Sequence, residues 1–183
     1  TSSDIIRRRW LDNDFYGVTY SLQYENNKLL SILGGAVNQY DGRHFGKIEW
    51  AQVTDVPKGY QYYFSESEKF DFTMYSKSNY QFTSTLNGFL DWQYRRIRYQ
   101  TMGNDNKQSS FDVDVAYSFF NPKFGFVYEL KRENQLYASY AVANREPVRK
   151  DFIDSPAGTS PKPERLYNLE VGVRKFSDKH SFN

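Results

Sequence analysis

Apolar and polar residues alternate with a period of two along much of the chain, most clearly between Tyr80 and Tyr99. From Phe82 onward, Ser84, Leu86, Gly88, Leu90, Trp92 and Tyr94 fall on one side. Thr83, Thr85, Asn87, Phe89, Asp91 and Gln93 fall on the other. A period of two puts successive side chains on opposite faces of a β-strand. The same pattern predicts strands over 15–25, 28–38, 68–77, 80–99, 111–130, 134–144 and 164–175. The stretch 111–130 divides in two. Val113, Val115, Tyr117 and Phe119 share one parity, and Phe124, Phe126, Tyr128 and Leu130 share the other. Pro122 lies between the two sets and cannot donate to a ladder, so a bulge or break is expected there. No window carries the 3.6-residue period of a helix.

The connections sort by length. Asn26-Asn27, Ser76–Asn79, Lys131–Asn134 and Ser177–Lys179 read as tight turns. Gln39–Ser67, Gln100–Ser110 and Arg145–Pro163 read as long loops with glycine and proline punctuation. Gly34, Gly35 and Ala36 suggest a close approach of another backbone. Strands joined by alternating short and long connections match a membrane barrel, with short turns at one end and long loops at the other. The central stretch exceeds the ~9–11 residues that a tilted strand needs to cross a bilayer. Its apolar face ends in Trp92 and Tyr94, residues suited to a membrane–water boundary. The expected fold is all-β, an antiparallel transmembrane β-barrel present as a partial barrel of about seven or eight strands.

Composition changes the picture in three ways. The net charge of +2 argues against a nucleic-acid binder. Aromatic residues make up 19% of the chain, a share that needs a large core or a membrane boundary. Cysteine is absent, so disulfides and thiolate metal sites are excluded, and no cofactor is implied. The chain opens on Thr1 and reaches Asn183 as a new segment begins, so residues 1–183 are expected to be one part of a longer protein.

Several phrases carry a family resemblance. RRRWLDNDFYGVTYSLQY (Arg7–Tyr24), LLSILGGAVNQYDGRHFGKIEW (Leu29–Trp50) and FNPKFGFVYELKRENQLYASYAVANREPVRKDF (Phe120–Phe152) resemble the barrel of TonB-dependent outer-membrane receptors, most closely those of Bacteroidetes-type bacteria. The resemblance runs from about Asp4 to Lys175. It implies a location in the bacterial outer membrane and a 22-stranded barrel filled by a separate plug domain, which lies outside this chain. It also implies import of a scarce nutrient (iron chelate, haem, cobalamin or glycan) with energy passed by TonB through the plug. Two other classes remain open: a complete eight-stranded structural or adhesion barrel, and a soluble β-rich binding module.

The candidate residues follow from this frame. His44 and His180 have no nucleophile or carboxylate at catalytic spacing, and no enzyme activity is expected. Asp91 and Asp114 lie on polar faces and would point into a lumen. Arg96 and Arg98 continue the lipid-facing register beyond Tyr94, with Arg95 between them. They either bind lipopolysaccharide phosphates, which a guanidinium meets bidentately, or extend a solvated strand above the membrane. Tyr60, Tyr62 and Tyr63, next to Phe64, either form a ligand-binding surface or pack a long loop together.

Overall fold

The computed structural model describes residues 4–52, 55–107, 109–130, 134–156, 159–176 and 181–182. They form one antiparallel sheet in which each strand pairs with its sequence neighbours. The strands are β1 (Ile5–Glu25), β2 (Leu29–Ala51), β3 (Tyr60–Gln81), β4 (Leu86–Asn104), β5 (Ser110–Glu129), β6 (Asn134–Arg145), β7 (Glu164–Phe176) and the short β8 (Ser181–Phe182). One helix, α1 (Arg149–Asp154), interrupts the β6–β7 connection. The sheet is open: β1 has a partner on one side only among the described residues. The expected turn at Ser177–Lys179 and the histidine at position 180 lie outside them.

Cross-strand register fixes the two faces. Val18 pairs with Val37, Val37 with Phe72, Phe72 with Arg96 and Arg96 with Ser118. Leu90 pairs with Phe124, Phe124 with Tyr140 and Tyr140 with Leu169. On this face the lower part of every long strand carries a bare band of large apolar side chains. Leu90 is 53% exposed, Leu169 73% and Val171 74%. The opposite face carries Asp71, Thr73, Asp91, Gln93, Arg95 and Ser139. It is also where the few buried apolar residues sit, Ile97 at 0% and Phe119 at 6% exposure. This distribution is the inverse of a water-soluble sheet, whose core face is apolar.

Three expectations need correction. The stretch Gln39–Ser67 is mostly hairpin: β2 runs to Ala51 and β3 starts at Tyr60. Two glycines there serve pairing instead of turning. A Cβ at Gly42 would strike the Tyr40 hydroxyl, and one at Gly46 would strike the Tyr63 ring. The turn itself uses Pro57 and Gly59, whose φ of +84° an L side chain avoids. The expected close approach of another backbone holds at Gly35, where a Cβ would stand 2.6 Å from the Thr73 carbonyl oxygen, while at Gly34 the nearest group is the Tyr75 ring, also at 2.6 Å. The Ser76–Asn79 turn lies instead at 82–85, where Thr83 Oγ1 accepts from the N–H groups of Thr85 and Leu86. Ser78 stays in the strand, 2.8 Å from Ser31 Oγ. Thr85 is therefore a turn residue and not a face residue.

The third correction concerns β5. Its pairing with β4 continues without a shift through Pro122, which faces Trp92. Proline's missing N–H acts on the other edge, where the β5–β6 ladder ends at the pair Lys123–Ala141. With no bulge, the two apolar sets fall on opposite faces. Val113, Val115, Tyr117 and Phe119 look toward the polar face, and Phe124, Phe126 and Tyr128 toward the bare apolar band. Asp114 goes to the face opposite to expectation. It lies beside Gln100 Nε2 at 2.8 Å and Arg98 Nη2 at 3.5 Å, outside any lumen.

This face assignment is testable in the full-length protein. Leu90→Arg, in the bare band, should cost ~2–4 kcal/mol of stability in lipid. Asn87→Arg, on the opposite face, should cost much less. Refolding into lipid vesicles under a urea gradient measures both, and equal penalties would reverse the assignment.

Candidate ligand-facing site

The polar face is partly covered by its own chain. After β6 the segment from Glu146 turns back over the sheet and forms α1. Its first anchor is Glu146. Lys69 Nζ donates to Glu146 Oε1 at 2.8 Å and Arg95 Nη1 donates to Glu146 Oε2 at 3.0 Å. The same Arg95 holds Asp71 through Nε at 2.9 Å. The planar fork of arginine suits such double duty, because its donors diverge in fixed directions. Asp71, Arg95 and Glu146 are each largely shielded from water. Burial alone would raise the Glu146 carboxyl pKa. The hydrogen bond from Lys69 and the charges of Lys69 and Arg95 outweigh it, and the group ends below its ordinary value.

The second anchor is α1 itself, whose start is capped by Asp151 accepting from the Val148 N–H at 2.8 Å. Arg149 Nη2 donates to Ser65 Oγ at 2.8 Å, and Ser65 is fully buried. The Arg149 guanidinium also lies over the Phe111 ring, 4.9 Å from its centre. Phe152 meets Tyr99 at 6.2 Å. Ile97 is sealed beneath this cover, beside a cavity of about 160 Å³ shared with Glu146, Pro147 and Arg149. The loop at Arg145–Pro163 is therefore an inward-folded strap. Sequence reading missed it, although a lone Glu146 next to Pro147 after an alternating strand was the available signal.

Next to the strap lies a larger cavity of about 370 Å³, lined by Arg9, Leu11, His44, Tyr63, Asn106 and Arg149. Tyr63 is buried in its wall. Tyr62 packs edge-on against Tyr63 at 5.0 Å and under the Arg7 guanidinium, and its hydroxyl is buried without a hydrogen-bond partner in the structure. Tyr60 stands at the exposed start of β3, away from this cluster. The structure thus brings Tyr62 and Tyr63 together on the polar face and leaves Tyr60 apart. His44 lies close to the Tyr40 hydroxyl, 3.3 Å away, and that hydroxyl donates to Asn13 Oδ1 at 3.0 Å. Arg96 and Arg98 occupy the opposite face, exposed above the bare band.

The family model described as TonB dependent receptor-like, beta-barrel, matches residues 2–183. The chain belongs to this family. It is a section of a β-barrel of the bacterial outer membrane, so the bare band faces lipid and the strap side faces the lumen. Its fold is shared with three solved structures, although identity is low in each. The copper transporter OprC has a TM-score of 0.75 at 14% identity, over 96% of this chain and 29% of that one. The ferric yersiniabactin uptake receptor FyuA from Yersinia pestis has a TM-score of 0.55 at 15% identity, over 97% and 28%. The ferric citrate transporter FecA has a TM-score of 0.57 at 13% identity, over 92% and 25%. The chain thus spans less than a third of the length of these barrels. No curated protein matches it.

The anchoring of the strap has a pH signature. A carboxyl whose folded-state pKa lies below its unfolded value adds stability above the unfolded value and loses it as pH falls through the folded one. The strap should therefore be protected from exchange and proteolysis at pH 7 and released below the ordinary glutamate pKa of ~4.3. Glu146→Gln should loosen it at pH 7, by roughly 1–3 kcal/mol, since Lys69 loses its partner and Arg95 one of two, and the difference from the native protein should vanish at acid pH. Hydrogen exchange of residues 146–156 in the refolded receptor reads this out. Unchanged protection in the variant would show that the anchor lies elsewhere.

Proposed function

We propose that this chain is the lumen-forming part of a receptor that imports a scarce small-molecule nutrient across the outer membrane. Energy would come from TonB through a plug domain encoded outside these residues. The observation that carries the reading is the strap folded onto a polar lumen face within a TonB-dependent receptor barrel. It shapes a chambered interior, which a purely structural barrel does not need. The open sheet speaks against a complete eight-stranded barrel, since β1 keeps a free edge among the described residues. The bare apolar band speaks against a soluble module. Iron chelates, haem, cobalamin and glycans are the candidate cargo classes. Tyr62 and Tyr63 are the proposed ligand-side aromatics.

Deleting the parent gene should slow growth when one such nutrient is limiting, and a strain without TonB should show the same defect. Growth that neither deletion alters, across all four nutrient classes, would refute the import reading.

Arg96 and Arg98 are proposed to contact lipopolysaccharide phosphates. They stand one and two outward positions above Tyr94, and Arg98 keeps only a long contact to Asp114. The double variant Arg96→Gln/Arg98→Gln should retain several-fold less lipopolysaccharide on purification in mild detergent, with the barrel still folded. Equal retention would favour a solvated strand extension.

A further inference from the structure

The ladder between β5 and β6 stops at the pair Lys123–Ala141, although β5 begins at Ser110. Pro122 removes the next donor, and side chains take over from the ladder there. Asn121 Oδ1 accepts from the Asn144 N–H at 2.9 Å and from Asn144 Nδ2 at 2.8 Å. Asn144 Nδ2 also donates to the Phe120 carbonyl at 3.2 Å. β6 then ends at Arg145 and the chain folds inward as the strap. Among the described residues, the stretch 110–119 of β5 is left paired to β4 alone. In an antiparallel strand the N–H and C=O of one residue point to the same side, and successive residues alternate. Phe120 offers its carbonyl to Asn144, so Asp112, Asp114, Ala116 and Ser118 turn their main-chain groups to that same free edge. The edge lies inside the sheet order, between β5 and β6. Further barrel strands add at β1 or β8, and not here.

A cleft of about 460 Å³ runs between this edge and the strap. Phe111, Val113 and Val115 form its apolar lining on one side, and Phe152, Ile153 and Pro156 on the other. Phe152 against Tyr99 and Arg149 over Phe111 hold the strap beside the edge, and it borders the edge without pairing with it. Asp112 and Asp114 project from the opposite face of the same strand and are exposed. Asp112 has no ion pair among the described residues, and Asp114 meets Arg98 only at 3.5 Å. An unpaired edge in water is a template for another strand. The structure assigns this edge as a docking site for an extended polypeptide that adds antiparallel to β5. Its apolar side chains enter the cleft, and its alternate lysine or arginine side chains meet Asp112 and Asp114. In such strand addition main-chain bonds supply affinity, and the alternating side chains supply selectivity. The site is separate from the cavity beside Tyr63 and does not depend on the import reading.

The test uses the full-length receptor in detergent and a fluorescein-labelled peptide of about eight alternating lysine and valine residues, followed by fluorescence anisotropy. The peptide should bind, and its counterpart with glutamate in place of lysine should not. Directly opposed residues of a hydrogen-bonded antiparallel pair turn their main-chain groups to each other. Each lysine opposite Asp112 or Asp114 therefore bonds through its own N–H. Methylating the lysine main-chain nitrogens should weaken binding by about tenfold or more, while methylating those of the valines should change it by less than about twofold. Ala116→Pro removes a donor from the free edge and leaves the β4 ladder intact, a placement that edge strands tolerate. It should weaken binding by about fivefold or more. Absence of binding to the native receptor would overturn the proposal. Equal affinity for the two methylated peptides would overturn it too, by reducing the interaction to charge attraction. So would native affinity in folded Ala116→Pro. Heat-modifiable gel migration reports folding. If Ala116→Pro loses the folded band, the methylated pair on the native receptor decides alone. Peptide binding in detergent requires neither TonB nor transport, so the growth assay above bears on the import reading and not on this edge.

Discussion

Everything in this chain depends on satisfying backbone N–H and C=O groups where no water is present. Hydrocarbon offers no hydrogen-bond partners, so a strand that crosses it must be paired along its length. The ladders of β1 through β5 meet that demand with registers of about twenty residues each. Side chains are then free of the usual duty of making a core. Among the described residues only a handful of large apolar side chains are buried, and most of the exposed ones lie in the lipid-facing band. The contrast with a soluble domain lies in where cohesion comes from: ladder pairing and lipid solvation instead of interior packing.

The strands are also longer than the bilayer requires. Above the bare band the outer face turns acidic, with Asp12, Asp14, Asp41, Glu66 and Glu68, and the lumen face gathers rings, arginines and the strap. The lower part of each strand is a membrane component and the upper part behaves as a water-exposed sheet. The Arg95–Asp71–Glu146 cluster sits where the two regimes meet. It ties three separate stretches of chain at the level where the lumen can be narrowed.

Much of the fold was legible in the alternation. Strands 111–130, 134–144 and 164–175 were placed within a residue or two, and the outward set Leu86, Leu90 and Trp92 stands as expected. The failures have local physical causes. In water-exposed hairpins glycine sits beneath an aromatic ring, as Gly42 and Gly46 do, and this looks like loop punctuation in sequence. Serine and asparagine at 76–79 look like a turn but pair inside a strand. Of the site, only Tyr62 and Tyr63 were visible in advance. Arg149 and Glu146 were not, because a return of the chain over its own sheet leaves no periodic trace.

The course of β5 carries a wider consequence. Its apolar residues occupy odd positions through Phe119 and even positions from Phe120 downward, with no break in the ladder. β4 does the same, with Tyr94 outward and Ile97 inward, and Tyr94 is the register partner of Phe120. A switch of parity in an unbroken strand is thus a depth mark. It records where the chain leaves one solvent for another, and adjacent strands place it at the same height. Across β4 and β5 that level can be drawn from the letters alone.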